Sequence, residues 1–113
     1  MCACHDIQAV VNLLKARDVW DDTVFVYSSD HGYQLGQFRV DSHKNMVYDH
    51  NLRVPMIFHG PNITHGVELP IVTSMADIAP TLIELAVGAT EIPSLMDGSS
   101  FAAQLAGSNN QTQ

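Results

Sequence analysis

The sequence predicts an α/β fold, and a helical pattern followed by a buried strand carries that prediction. Apolar residues at positions 7, 10, 11 and 14 recur on one helical face, which predicts a helix over residues 6–17. A turn at Asp21-Asp22 follows, and residues 23–27 form a short β-branched and aromatic run. This run is apolar on both faces, which suits a buried parallel strand. Helix, turn and buried strand in succession are typical of α/β layers.

The second half of the chain continues this alternation. Pro80 suits the first turn of a helix, and Gly88 suits its C-terminal cap. We expect Val24 and Val26 to share one core with three later residues, Ile57, Leu82 and Leu85. The further predicted elements are strands at residues 54–58 and 70–73, a helix at residues 80–86, an amphipathic turn at residues 99–105 and a polar tail at residues 108–113.

Two or three strands cannot by themselves form a sheet that is covered on both faces. We therefore expect either an incomplete domain or a sheet that borrows strands from a partner. The 113 residues carry 12 Asp and Glu against 5 Lys and Arg, for a net charge of −7. This acidity disfavours a nucleic-acid partner, because phosphates require a basic face. No apolar run approaches the ~20 residues of a membrane-spanning helix, so we expect no membrane span.

The clearest candidate site is Ser29-Asp30-His31-Gly32, directly after the first predicted strand. Ligands of open α/β sheets collect beyond the carboxyl ends of strands, which is where Asp30 and His31 fall. A carboxylate oxygen and a neutral imidazole nitrogen are both cation ligands. The alternative is an ordinary turn at the end of a strand, where Asp and Gly are also favoured. Residues 28–51 are polar and aperiodic, and a loop of this length is uncommon unless it is functional.

Further motifs follow in a fixed order, and together they resemble one family. After Asp30-His31-Gly32 come Leu35-Gly36, Lys44, Tyr48-Asp49, Val54-Pro55, Asp77-Ile78-Ala79-Pro80-Thr81-Leu82 and Asp97-Gly98-Ser99-Ser100. This series, from about residue 7 to residue 105, resembles the sulfatases of the alkaline phosphatase superfamily. The resemblance implies a partial alkaline-phosphatase-like sheet with flanking helices. It also implies that residues 1–107 are the C-terminal portion of a sulfatase catalytic domain, with residues 108–113 as a tail.

The resemblance assigns roles to three residues. Asp30 and His31 match the late pair of ligands for the divalent metal, usually calcium, and Lys44 matches the catalytic lysine that binds the sulfate oxygens. The implied activity is metal-dependent hydrolysis of a sulfate ester, on a sulfated sugar or an aryl sulfate. The family's formylglycine nucleophile arises from Cys-x-Pro-Ser-Arg, which these 113 residues lack. We therefore expect the nucleophile in a missing N-terminal part, which would be the partner of this chain, and no activity from the chain alone.

The identity of the metal stays open, and so do two alternatives to the sulfatase function. His31 stands where Asn is commoner in the family, and a nitrogen ligand suits zinc or manganese better than calcium. A phosphodiesterase or phosphatase relative from the same superfamily is a second hypothesis, and a catalytically dead remnant is a third. The resemblance further implies a secreted, lysosomal or periplasmic protein.

Overall fold

The computed structural model describes residues 3–44 and 46–107 and has a mixed α/β architecture. It divides into two compact units, one made of residues up to 25 together with those from 59 onward, the other of residues 26–58. The tail predicted at residues 108–113 lies outside the described residues. The helices and strands are α1 (Ala3–Ala16), β1 (Phe25–Ser28), α2 (Asp49–Leu52), β2 (Met56–His59), α3 (Ile78–Val87) and α4 (Ala102–Leu105).

Both predicted long helices are present. The helix α1 begins earlier than residue 6 and ends at Ala16, and Asp18 adopts a left-handed φ of 57° just beyond it. The helix α3 carries Pro80 in its first turn and stops at Gly88, whose φ of 101° an L side chain adopts only with strain. The amphipathic turn predicted at residues 99–105 contains the short helix α4. In the described part of the chain, no helix is long and apolar enough to cross a membrane.

The strands β1 and β2 form one two-stranded sheet. The Ser28 hydroxyl donates to the carbonyl of Pro55 over 2.9 Å, so the end of β1 lies beside the start of β2. This places the two strands antiparallel, whereas the apolar run at residues 23–27 was expected to pair in parallel. The third strand predicted at residues 70–73 is wrong, because that segment pairs with no strand and Val72 is fully exposed.

The buried core lies in the unit that contains the C-terminal half of the chain. It consists of Ile63, Phe101, Ala102 and Leu105, packed near the fully buried Thr81. The Thr81 hydroxyl accepts the Phe101 N–H over 3.1 Å, which joins α3 to the segment before α4.

The predicted five-residue core is wrong. Ile57 is 55% exposed and Leu82 is 38% exposed, while Val24, Val26 and Leu85 are only half-buried. The reason is that a two-stranded sheet offers too little surface to cover these side chains from both faces.

Candidate active site

Asp30 and His31 lie just beyond the carboxyl end of β1, as the sequence predicts. The Asp30 side chain is 84% exposed, and the His31 ring is half-buried. One Asp30 oxygen, Oδ1, accepts the main-chain N–H of His31 over 3.1 Å. The turn therefore holds the carboxylate close to the imidazole and leaves it open to solvent or to a ligand.

The hydrogen bonds of His31 decide which ring nitrogen carries a proton. Nδ1 lies 2.6 Å from the carbonyl oxygen of Gly32, which can only accept, so Nδ1 is the donor. Nε2 lies 3.3 Å from Asp30 Oδ2. In a neutral ring, the Nε2 lone pair would face a carboxylate oxygen. A cation shared by the two atoms would convert that repulsion into attraction.

The Asp30-His31 pair fits part of a metal site. Typical ligand distances of about 2.0–2.6 Å allow two atoms separated by 3.3 Å to occupy adjacent positions on one cation. Two ligands do not complete a shell. Within residues 3–44 and 46–107, no group of three or more His, Cys, Asp or Glu side chains is placed to hold a metal ion.

The loop after Gly32 folds back on itself. Gly32 N–H donates to the carbonyl of Asn51 over 2.8 Å, and Gln34 and His43 exchange two main-chain hydrogen bonds as an isolated antiparallel pair. Lys44 directly follows His43, so its backbone lies beside the segment that leaves His31.

The Lys44 side chain is exposed, and its main-chain N–H donates to Nδ1 of His43 over 3.1 Å. Its ammonium has no hydrogen bond or ion pair with any described residue, so the charge is available to an anion. The roles of Asp30, His31 and Lys44 remain predictions.

Sequence reasoning missed the buried polar residues of this loop. Gln34 and Asn51 are almost completely buried, and three polar atoms there, Gln34 Oε1, His50 Nε2 and Asn51 Oδ1, have no described partner. Neither residue belongs to an apolar pattern, and neither stands at a recognisable ligand spacing. The sequence therefore carried no signal for them beyond their place in a long polar loop.

Three rings pack together in the same loop. Tyr48 stacks on His50 with centroids 5.7 Å apart, and Phe38 lies 4.8 Å from Tyr48. Phe38 and Arg39 both have left-handed φ angles near 60°, which is uncommon for residues other than glycine. The ring contacts join the two arms of the loop and offset part of this backbone cost.

Comparison with known proteins decides the family. Residues 5–89 match the family model described as Sulfatase. The chain belongs to the sulfatase family. The resemblance of the motifs to this family is thereby confirmed.

Two named relatives of this chain are sulfatases. The chain is 36% identical over 95 residues to the extracellular sulfatase SULF-1 homolog of Drosophila melanogaster, covering 84% of this chain and 8% of that protein. It is 30% identical over 106 residues to the N-acetylglucosamine-6-sulfatase of Bos taurus, covering 94% of this chain and 19% of that protein. The chain thus spans at most about a fifth of these relatives.

A solved structure confirms the fold. The phosphonate monoester hydrolase SpPMH from Silicibacter pomeroyi superposes with a TM-score of 0.79 at 33% sequence identity. The match covers 95% of this chain and 21% of that enzyme. The partial alkaline-phosphatase-like architecture predicted from the motifs is therefore confirmed.

Proposed function

We propose that this chain supplies part of the active site of a sulfate-ester hydrolase, with Asp30 and His31 as metal ligands and Lys44 as the sulfate-binding residue. The observation that carries the proposal is the placement of Asp30 and His31 at the end of β1, with their ligand atoms 3.3 Å apart. The loop folds back through the Gln34–His43 pair, which brings the Lys44 backbone beside the segment that follows His31. This supports the role of Lys44 as the sulfate-binding residue.

The chemistry of the ester explains why these groups belong together. Negative charge develops on the sulfate oxygens in the transition state, and fixed positive charges stabilise it where it forms. A divalent cation, when bound, would polarise one of these oxygens as a Lewis acid. The Lys44 ammonium is a compact charge on a flexible stem, so it can follow the anion as the bond to the alcohol breaks. The exposed Asp30 carboxylate would hold the cation.

In this proposal the nucleophile comes from outside these residues. No Cys-x-Pro-Ser-Arg sequence occurs among the 113 residues. In this proposal residues 1–107 act with a nucleophile-bearing segment of the same domain, and the covalent step belongs to that segment. We expect the isolated chain to cleave a chromogenic aryl sulfate no faster than a buffer blank does.

A second candidate is hydrolysis of a phosphonate or phosphate ester. The structural neighbour from Silicibacter pomeroyi is a phosphonate monoester hydrolase, and the nitrogen ligand of His31 suits the transition metals that many phosphoesterases use. Both reactions place negative charge on oxygens that a cation and Lys44 would neutralise.

A chimera tests both candidates. Residues 5–89 of this chain replace the matching segment of the bovine N-acetylglucosamine-6-sulfatase, which then supplies the remaining residues. The chimera is assayed with an aryl sulfate and with an aryl phosphonate under identical conditions. The sulfatase proposal expects turnover of the sulfate above that of the phosphonate. Preference for the phosphonate would favour the second candidate, and a folded chimera with neither activity would contradict both.

A further inference from the structure

Asn51 connects the two segments that carry the candidate site. Its side chain is 2% exposed. Its main-chain carbonyl accepts the N–H of Gly32, the residue after His31, over 2.8 Å. Its side-chain Nδ2 donates to the carbonyl of Met46, two residues after Lys44, over 3.0 Å. One residue is therefore bonded to both the metal-ligand turn and the lysine segment.

We propose that Asn51 is a positioning residue, which fixes the location of Lys44 relative to the Asp30-His31 pair. The inference rests on the proposed function, because this placement matters only if the three residues act on one anion. Any residue at position 51 would supply the main-chain carbonyl. Only a side chain with a donor at this point can bond the Met46 carbonyl.

The structure holds the Lys44 segment on both sides. Before Lys44, His43 exchanges two main-chain hydrogen bonds with Gln34. After Lys44, Met46 is held by the Asn51 amide. The Lys44 side chain itself bonds to no described residue, so these two anchors determine where its backbone lies.

Loss of the Asn51 amide would release the second anchor. The Met46 carbonyl would lose its protein donor, and water would have to enter the loop to replace the bond. The first anchor would remain, and so would the Gly32–Asn51 main-chain bond. The expected result is a segment that swings about His43, with Lys44 farther on average from Asp30 and His31, and an otherwise intact fold.

Paramagnetic broadening by Mn²⁺ measures this distance without any need for catalysis. The ¹⁵N-labelled 113-residue chain is titrated with Mn²⁺, and the line broadening of the Lys44 amide is compared in three proteins. These are the wild type, Asn51→Ala, and the matched control Leu52→Ala, which alters the exposed neighbouring residue of α2. Broadening falls with the sixth power of distance, so a one-fifth increase in separation weakens it about threefold.

The proposal expects Mn²⁺ to broaden Lys44 in the wild type and in Leu52→Ala, and about threefold less in Asn51→Ala at equal Mn²⁺ occupancy. Reintroduction of an amide donor in Asn51→Gln should recover part of the broadening. Equal broadening in the wild type and Asn51→Ala would overturn the positioning role and leave the proposed function standing. So would loss of shift dispersion across residues 26–58 in Asn51→Ala, since the residue would then be structural. Because two ligands bind a cation only weakly, Mn²⁺ is raised to millimolar concentration, and absence of broadening at residues 30 and 31 there would instead overturn the metal-ligand roles on which the proposed function rests.

Discussion

The carboxylate of Asp77 accepts the main-chain N–H of Ser99 over 2.8 Å, across 22 residues of sequence. Its other oxygen accepts the N–H of Ser74 over 2.7 Å. The Ser74 and Ser99 bonds stabilise the ionised form and hold the pKa of Asp77 below its ordinary value of 3.8, against the opposing effect of burial. One side chain therefore fastens both the start of α3 and the segment before α4.

This lowered pKa makes a prediction about acid stability. A carboxyl whose pKa is depressed by folding contributes stability that is present above its ordinary pKa and is lost as pH falls through the lowered value. Asp77→Asn should therefore be less stable than the wild type near neutral pH, by about 1 kcal/mol. The difference should shrink as pH falls below about 4. Urea unfolding of both proteins over this pH range checks it, and a difference that stays constant with pH would contradict it.

The close approach of Gly32 to the chain at α2 gives a second prediction. A Cβ at position 32 would clash with the carbonyl oxygen of His50 and lie 2.9 Å from the Cα of Asn51. Because these are backbone atoms, they can move away from the added Cβ only if the loop opens. Gly32→Ala should lower the free energy of unfolding by about 1–3 kcal/mol and weaken the Gly32–Asn51 hydrogen bond.

Gly36 supplies the matched control for that substitution. It lies in the same loop with a φ of 90°, and nothing is within 4 Å of the position of its missing Cβ. Gly36→Ala should cost about 1 kcal/mol through backbone conformation alone. Denaturant titration and amide exchange compare the two variants. If Gly32→Ala proved no more costly than Gly36→Ala, the steric argument would fail.

The nitrogen ligand at position 31 gives a third prediction, about metal preference. Calcium favours an all-oxygen shell, whereas manganese accepts imidazole readily. His31→Asn should therefore lower the affinity for Mn²⁺ relative to Ca²⁺ by about tenfold. Calorimetric titration of both cations into the chimera and into its His31→Asn variant gives the ratio. An unchanged ratio would show that His31 is not a ligand.

The elements of this fold were predictable where a local pattern was strong. The apolar stripe of α1 and the Pro80 and Gly88 signals of α3 depend on residues close in sequence, and both helices formed as expected. The strand predicted at residues 70–73 failed because a β-branched run is a strand only if another strand pairs with it. The wrong core has the same origin, since burial depends on what covers a face, and local sequence does not contain that information.

The residues of the candidate site were likewise predictable only in part. Asp30 and His31 could be found because they follow a strand, a position where ligands gather. Lys44 was found through its place in a series of family motifs. Asn51 could not be found, because its role depends on hydrogen bonds to Gly32 and Met46 that exist only once the loop has closed.

In the proposed function Lys44 binds the sulfate in the transition state, and the steady-state kcat/KM of the chimera on an aryl sulfate measures that contribution. Lys44→Ala should lower kcat/KM by about a hundredfold or more, because a fixed positive charge on the reacting anion is lost. Lys15→Ala is the matched control. Lys15 lies in α1, and its ammonium lies 5.6 Å from the centroid of the Trp20 ring in the turn that follows. Lys15→Ala should retain near-normal kcat/KM. Equal and small losses in both variants would contradict the assignment of Lys44.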